Sequence, residues 1–165
     1  INKYPNEIIG VKVRSDGEAT QTLGIYPFEL GHKLAHDMNV PFVVHVGEYP
    51  PKINDMLKVI TKGDLLTHCY NQYAPNGIYN SLVDENGVVL PEVFEAKKRG
   101  ALFDVGHGGC SFSFDIARKA FSQGFYPDVI STDIYAWNFL SPVCIYKKCR
   151  NLLPQRIVTL PPELF

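Results

Sequence analysis

Five short apolar runs, separated for the most part by stretches with helical spacing, constrain the fold of this chain more than any other feature. The runs are IIGVKV (8–13), PFVVHV (41–46), DLLTHC (64–69), ALFDVG (101–106) and DVISTD (128–133). They are nearly continuous rather than alternating, the pattern of parallel strands covered on both faces. Between them lie YPFELGHKLAHDM (26–38), PKINDMLKVI (51–60), PEVFEAKKR (91–99) and SFSFDIARKAFSQG (111–124), whose apolar residues recur at helical intervals. Pro27, Pro51 and Pro91 stand near the starts of three of these, where a missing N–H does no harm, and Gly100 and Gly124 suit the ends of two. The order β-α-β-α-β-loop-α-β-α-β predicts an α/β fold with a parallel sheet. The turn-rich stretch 70–90 is long enough to be a functional loop over a site.

Periodicity does not choose between a small open sheet and part of a larger barrel, but the polar residues do. Lys12, His45, His68, His107 and Asp133 fall at or just past the carboxyl ends of the five runs. That rim is where β/α barrels build their active sites. One such residue is unremarkable; five from five runs define a candidate site.

Bulk properties narrow the setting. With 165 residues the chain has room for about one domain and a real core. A net charge of -1 gives no electrostatic footprint for nucleic acid or an anionic membrane surface, and no apolar run reaches the ~18 residues of a membrane span. The opening INKYPNEIIG has neither the basic nor the apolar region of a secretory signal, and no initiator Met, so a piece of a longer cytoplasmic protein is expected. Cys69, Cys110, Cys144 and Cys149 contain no C-x-x-C pair, and reduced thiols are the expectation.

Imidazoles and a carboxylate suit a hydrolytic metal site that leaves a position for water. Asp133 beside such a water can take its proton and return it to a leaving group. Lys12 is the odd member, because an ammonium repels a cation. Two readings of it stay open: a Schiff-base nucleophile, or a lysine that has taken up carbon dioxide to become an anionic carbamate ligand.

The blocks GVKVR (10–14), VPFVVHVGEYPP (40–51), GDLLTHCYN (63–71), LFDVGHGGCSFSF (102–114) and VISTDIY (129–135), in this order and spacing, resemble the metal-dependent amidohydrolase superfamily, in particular its deacetylase or dihydroorotase-like branch. The resemblance runs from about residue 8 to 138. It implies a TIM-type (β/α)8 barrel of which this chain supplies about strands four to eight. It further implies a divalent metal centre, two zinc ions bridged by carboxylated Lys12, with His45, His68 and Asp133 as further ligands. Asp133 would also shuttle the proton. His107 would lie beside the substrate, with Cys69, Asn71 and Tyr135 as pocket neighbours. The implied reaction is hydrolysis of an acyl amide or ester in a small molecule, metal-activated water attacking the acyl carbon.

The chain departs from that family in two places. The superfamily's strand-one His-x-His pair, which completes a metal site, has no counterpart in the 165 residues. The tail CIYKKCRNLLPQRIVTLPPELF carries three prolines where the family continues into a long helix. The expected organisation is therefore a partial barrel over 1–140 and an unassigned tail over 141–165, with the first half of a barrel or a second copy as partner. Two alternatives remain beside the hydrolase: a metal-independent lyase using Lys12, and a non-catalytic fragment. Weaker signals carry bland readings. His32 and His36 in HKLAH have zincin spacing but Lys33 in place of the general-base Glu, and an outer helix face is expected. The glycines of GHGG permit a tight turn rather than a phosphate cradle. Cys110 is expected to be packed, and Trp137 lines the pocket or caps the barrel.

Overall fold

The computed structural model describes residues 3, 4, 7–72, 74, 76–109 and 111–135. Four parallel strands form its sheet: β1 (Val11–Ser15), β2 (Phe42–Val46), β3 (Leu65–Thr67) and β4 (Leu102–Asp104). Their spatial order is their sequence order. A doubly wound sheet reverses strand order at a switch point, whereas sequential parallel strands are the wall of a β/α barrel.

The helices are α1 (Gly17–Thr20), α2 (Tyr26–Asp37), α3 (Ile53–Val59), α4 (Pro91–Lys98) and α5 (Phe114–Ser122). Pro27 and Pro91 lie in the first turns of α2 and α4, and the Ser113 hydroxyl caps α5 by accepting from Ile116 N–H. Pro51 instead precedes α3, whose first amide donates to the Asn80 side chain. The short α1 has no apolar spacing to announce it; its start is the Asp16 carboxylate, which accepts from Ala19 N–H.

Burial alternates along the sheet, so continuous coverage of both faces is not what the described residues show. Val44, Leu66 and Phe103 are fully buried on the helix-covered face. Lys12, Val43, Leu65 and Leu102 lie on the other, which is partly open. That second face is the interior of a barrel wall, and it is packed only where further strands close over it.

Two strands differ from their sequence expectation. β1 runs over 11–15 rather than 8–13, because pairing with β2 starts where Val11 N–H donates to the Pro41 carbonyl. Ile9 is 80% exposed, and Lys12 sits inside the strand instead of at its end. The run 128–133 lies parallel to β4 but forms a single bridge, Asp104 to Val129. The Asp128 carboxylate accepts from Phe103 N–H, so a side chain takes a ladder position that a backbone carbonyl would fill. Val105, His107 and Gly108 still donate to the carbonyls of Val129, Ser131 and Thr132, which brings Asp133 to the rim.

The stretch 70–90 is stitched down rather than lying free. Leu82, Val83 and Val89 are buried, and the Asn80 amide donates to the carbonyls of Gly47 and Pro51. No helix among the described residues is long and apolar enough to cross a membrane. Cys110, Trp137 and the tail 141–165 fall outside the described residues.

Candidate active site at the carboxyl rim

His45 is the fourth residue of β2 and shares the inner face with Arg14 of β1 and Thr67 of β3, its register partners. His68 follows β3 with φ of 66°, a left-handed turn that non-glycine residues adopt at a cost. Asp133 does the same at the end of its segment, with φ of 46°. Backbone of this kind at two polar rim residues is what a functional site there would hold in place.

These turns bring three groups together. His45 Nδ1 lies 2.9 Å from His68 Nε2, and Asp133 Oδ2 lies 3.8 Å from that same nitrogen. The far side of each ring is occupied. His68 Nδ1 is 2.5 Å from the Gly106 carbonyl and His45 Nε2 is 3.3 Å from Asp16 Oδ2. Gly106 is required here: with φ of 48°, a Cβ would collide with Thr67 Oγ1 and stand 2.8 Å from His68 Nδ1.

Proton placement follows from these partners. A carbonyl oxygen only accepts, so His68 carries its proton on Nδ1 and presents a lone pair at Nε2. Burial, and after it the neighbouring His68, bring the His45 pKa down to about 4 against the pull of Asp16. Burial lowers His68 as well, against the Gly106 hydrogen bond and Asp133. A neutral His45 has a single N–H for two contacts. Donated to Asp16, it leaves two imidazole lone pairs facing each other across 2.9 Å; donated to His68, it leaves a lone pair facing a carboxylate. A cation between the two rings relieves the conflict. Two nitrogens at ~2.05 Å from a tetrahedral ion stand roughly 3.3 Å apart, close to the spacing present. Imidazoles whose outer nitrogens are held by a carboxylate and a carbonyl are the usual arrangement around a metal. The donor set therefore fits a divalent ion.

The remaining expected residues fall unevenly around this point. Lys12 lies on the same inner face as His45, level with Val43, and among the described residues it makes no hydrogen bond or ion pair. Asn71, Tyr135 and Asp133 line a hollow of about 350 Å³ in front of His45. His107 does not line the hollow; it is buried and stacks on Phe112 at 5.3 Å. Cys69 does not line the hollow: it is 1% exposed within the hydrophobic core, and burial holds its thiol pKa well above the ordinary value. One residue further round than His68, its side chain turns to the helix-covered side.

Arg14, Asp16, Glu48 and Ser111 also line the hollow and were not expected from the sequence. Arg14 Nε donates to Asp16 Oδ2 at 2.5 Å, and its guanidinium also pairs with Glu18. Two signals could have found the first two. Arg14 is one same-face step beyond Lys12, and Asp16 in SDGEAT carries a helix-capping signature immediately after a strand.

Sequential parallel strands, helices on the outer face and a polar rim at the carboxyl ends define part of a β/α barrel, with the candidate site where such barrels build theirs. No family model matches the chain. A deacetylase of Brucella anthropi is 38% identical over 136 residues, 82% of this chain and 33% of that protein. A deacetylase of Enterococcus faecalis is 35% identical over 139 residues, 84% of this chain and 37% of its own length. The crystal structure of an adenine deaminase superposes with a TM-score of 0.76 at 34% identity, over 84% of this chain and 37% of that one. That of a dihydroorotase gives 0.68 at 37% identity, over 81% and 33%. The chain belongs to the amidohydrolase superfamily, within the deacetylase or dihydroorotase-like branch. It spans about a third of the length of the curated relatives it matches.

Proposed function

We propose that this chain is part of a metal-dependent hydrolase of acyl amide or ester bonds, a deacetylase acting on a small acylated molecule. The observation that carries this reading is the pair His45 Nδ1 and His68 Nε2, 2.9 Å apart with one proton too few for their surroundings. The names of the relatives supply the reaction class. His45, His68 and Asp133 would hold a divalent ion, zinc by the nitrogen-rich donor set. Lys12, if carboxylated, would add an anionic oxygen for a second. An ion there polarises an acyl oxygen and brings the acidity of water toward pH 7.

The chain's own residues do the rest. Asp16 and the Gly106 carbonyl hold each imidazole with its lone pair aimed at the site, and Arg14 fixes Asp16. Asp133, with its side chain 37% exposed at the mouth of the hollow, takes a proton from water at Oδ2 and returns it to the departing amine or alcohol. Asn71 and Tyr135 line the space for the acyl group or its leaving group, and His107 orders the turn beside it. The lyase reading gains no support from the relatives, which are named deacetylases. The strand-one histidine pair has no counterpart here, so full activity calls for ligands from outside the 165 residues.

A panel of N-acetyl amino acids and acetylated hydroxy acids tests the proposal in the chain joined to the amino-terminal part of a relative. Hydrolysis should stop on chelation, return with zinc, and be lost in Asp133→Asn even with zinc in excess. Hydrolysis that survives chelation would exclude the metal-dependent reading.

A further inference from the structure

A second group of metal-ligating side chains lies at the opposite end of the sheet. His32 and His36 stand one turn apart on α2, and Asp64 immediately precedes β3. His32 Nε2 is 3.0 Å from Asp64 Oδ2 and His36 Nε2 is 3.0 Å from Asp64 Oδ1. One ligand atom from each of the three lies within 4.8 Å of the others. From these we propose a divalent-metal site, of zinc type, built from His32, His36 and Asp64 and separate from the carboxyl-rim site.

The surroundings are those of a prepared site. The Asp64 side chain is 3% exposed and is oriented by Thr61, whose N–H and hydroxyl both donate to Oδ2, at 2.7 and 3.2 Å. Such outer hydrogen bonds fix the direction in which a ligating carboxylate presents its oxygens. His32 is held between Phe28, stacked at 5.9 Å, and Phe42, edge-on at 5.4 Å. Access is from the His36 side: that side chain is 43% exposed and borders a hollow of about 280 Å³ with Asn39 and Pro41. Lys62 lines the same hollow and makes no hydrogen bond to the carboxylate.

Two imidazoles four residues apart on a helix with a third ligand from a neighbouring element leave one tetrahedral position for water. Without metal, each Nε2–H donates to Asp64. With metal, the Nε2 lone pairs turn to the ion and each ring carries its proton on Nδ1. The ion joins α2 to the start of β3 at the amino-terminal face, where barrels place stability rather than chemistry. It stabilises the fold by mass action whether or not the carboxyl-rim site is catalytic.

Zinc chloride titration of the whole chain, read by elemental analysis and thermal denaturation, tests this in four proteins: the native chain, His68→Ala, His36→Ala and the double variant. His68→Ala should keep one ion and a zinc-dependent rise in Tm; adding His36→Ala should abolish both. His36→Gln supplies the same comparison with a polar side chain retained. If His68→Ala itself does not fold, loss of one ion per chain in His36→Ala relative to the native protein carries the test. Equal zinc binding with and without His36 would overturn the proposal, as would a native chain whose Tm zinc does not raise.

Discussion

At His45 a carboxylate faces one ring nitrogen and a second imidazole faces the other, 3.3 and 2.9 Å away. Asp16 decides which way the ring presents its lone pair. Asp16→Asn keeps the cap on α1, because asparagine caps nearly as well as aspartate, but removes the charge that draws the Nε2 proton. Zinc affinity at the rim should fall by about 10- to 100-fold with Tm little changed; isothermal titration and a melt on the same sample separate the two effects. The buried histidines also set a pH dependence. In metal-free protein His45 has its pKa lowered from the ordinary value to about 4, and His68 is lowered too. Between those two pH values the unfolded chain binds a proton that the folded chain refuses, so stability rises with pH across that window. Melts in chelator should show Tm falling as the pH drops from about 6.5 toward 4, where the loss levels off, and His45→Asn should flatten the slope. The sequence placed His45, His68 and Asp133 at strand ends because strand and turn signals are local. It did not place Asp16, whose role depends on a partner 29 positions away.

Elements were legible to the extent that their own residues determine them. The helices over 26–37, 53–59, 91–98 and 114–122 fall inside the stretches expected from apolar spacing and caps. Strand limits were not, because pairing sets them: β1 is drawn toward 11–15 by the register Arg14 to His45, which moves Lys12 off the rim. The turn after β4 is similarly a matter of close approach. Gly106→Ala puts a side chain into Thr67 and the edge of the His68 ring at a left-handed φ. It should cost at least about 1–2 kcal/mol for the backbone alone, and it should weaken zinc binding at the rim. Chemical denaturation and zinc titration of the variant check both; an unchanged affinity would mean that the Gly106 carbonyl does not seat His68.

At the scale of the whole molecule, the sequential parallel sheet carries one covered face and one partly open face, and the site sits where the strands end. The covered face follows from the apolar runs. The open face does not, since a barrel wall and an open sheet share the same periodicity until strand order is known. The family resemblance supplied that order, and the sheet has it. The central claim is that two imidazoles at this rim share a divalent ion. Ring-nitrogen NMR of the ¹⁵N-labelled chain, with and without zinc, addresses it most directly, because each nitrogen reports as protonated, bare or metal-bound. With zinc, His45 should be protonated on Nε2 and metal-bound on Nδ1, and His68 protonated on Nδ1 and metal-bound on Nε2. Spectra of both rings that zinc leaves unchanged would contradict the account.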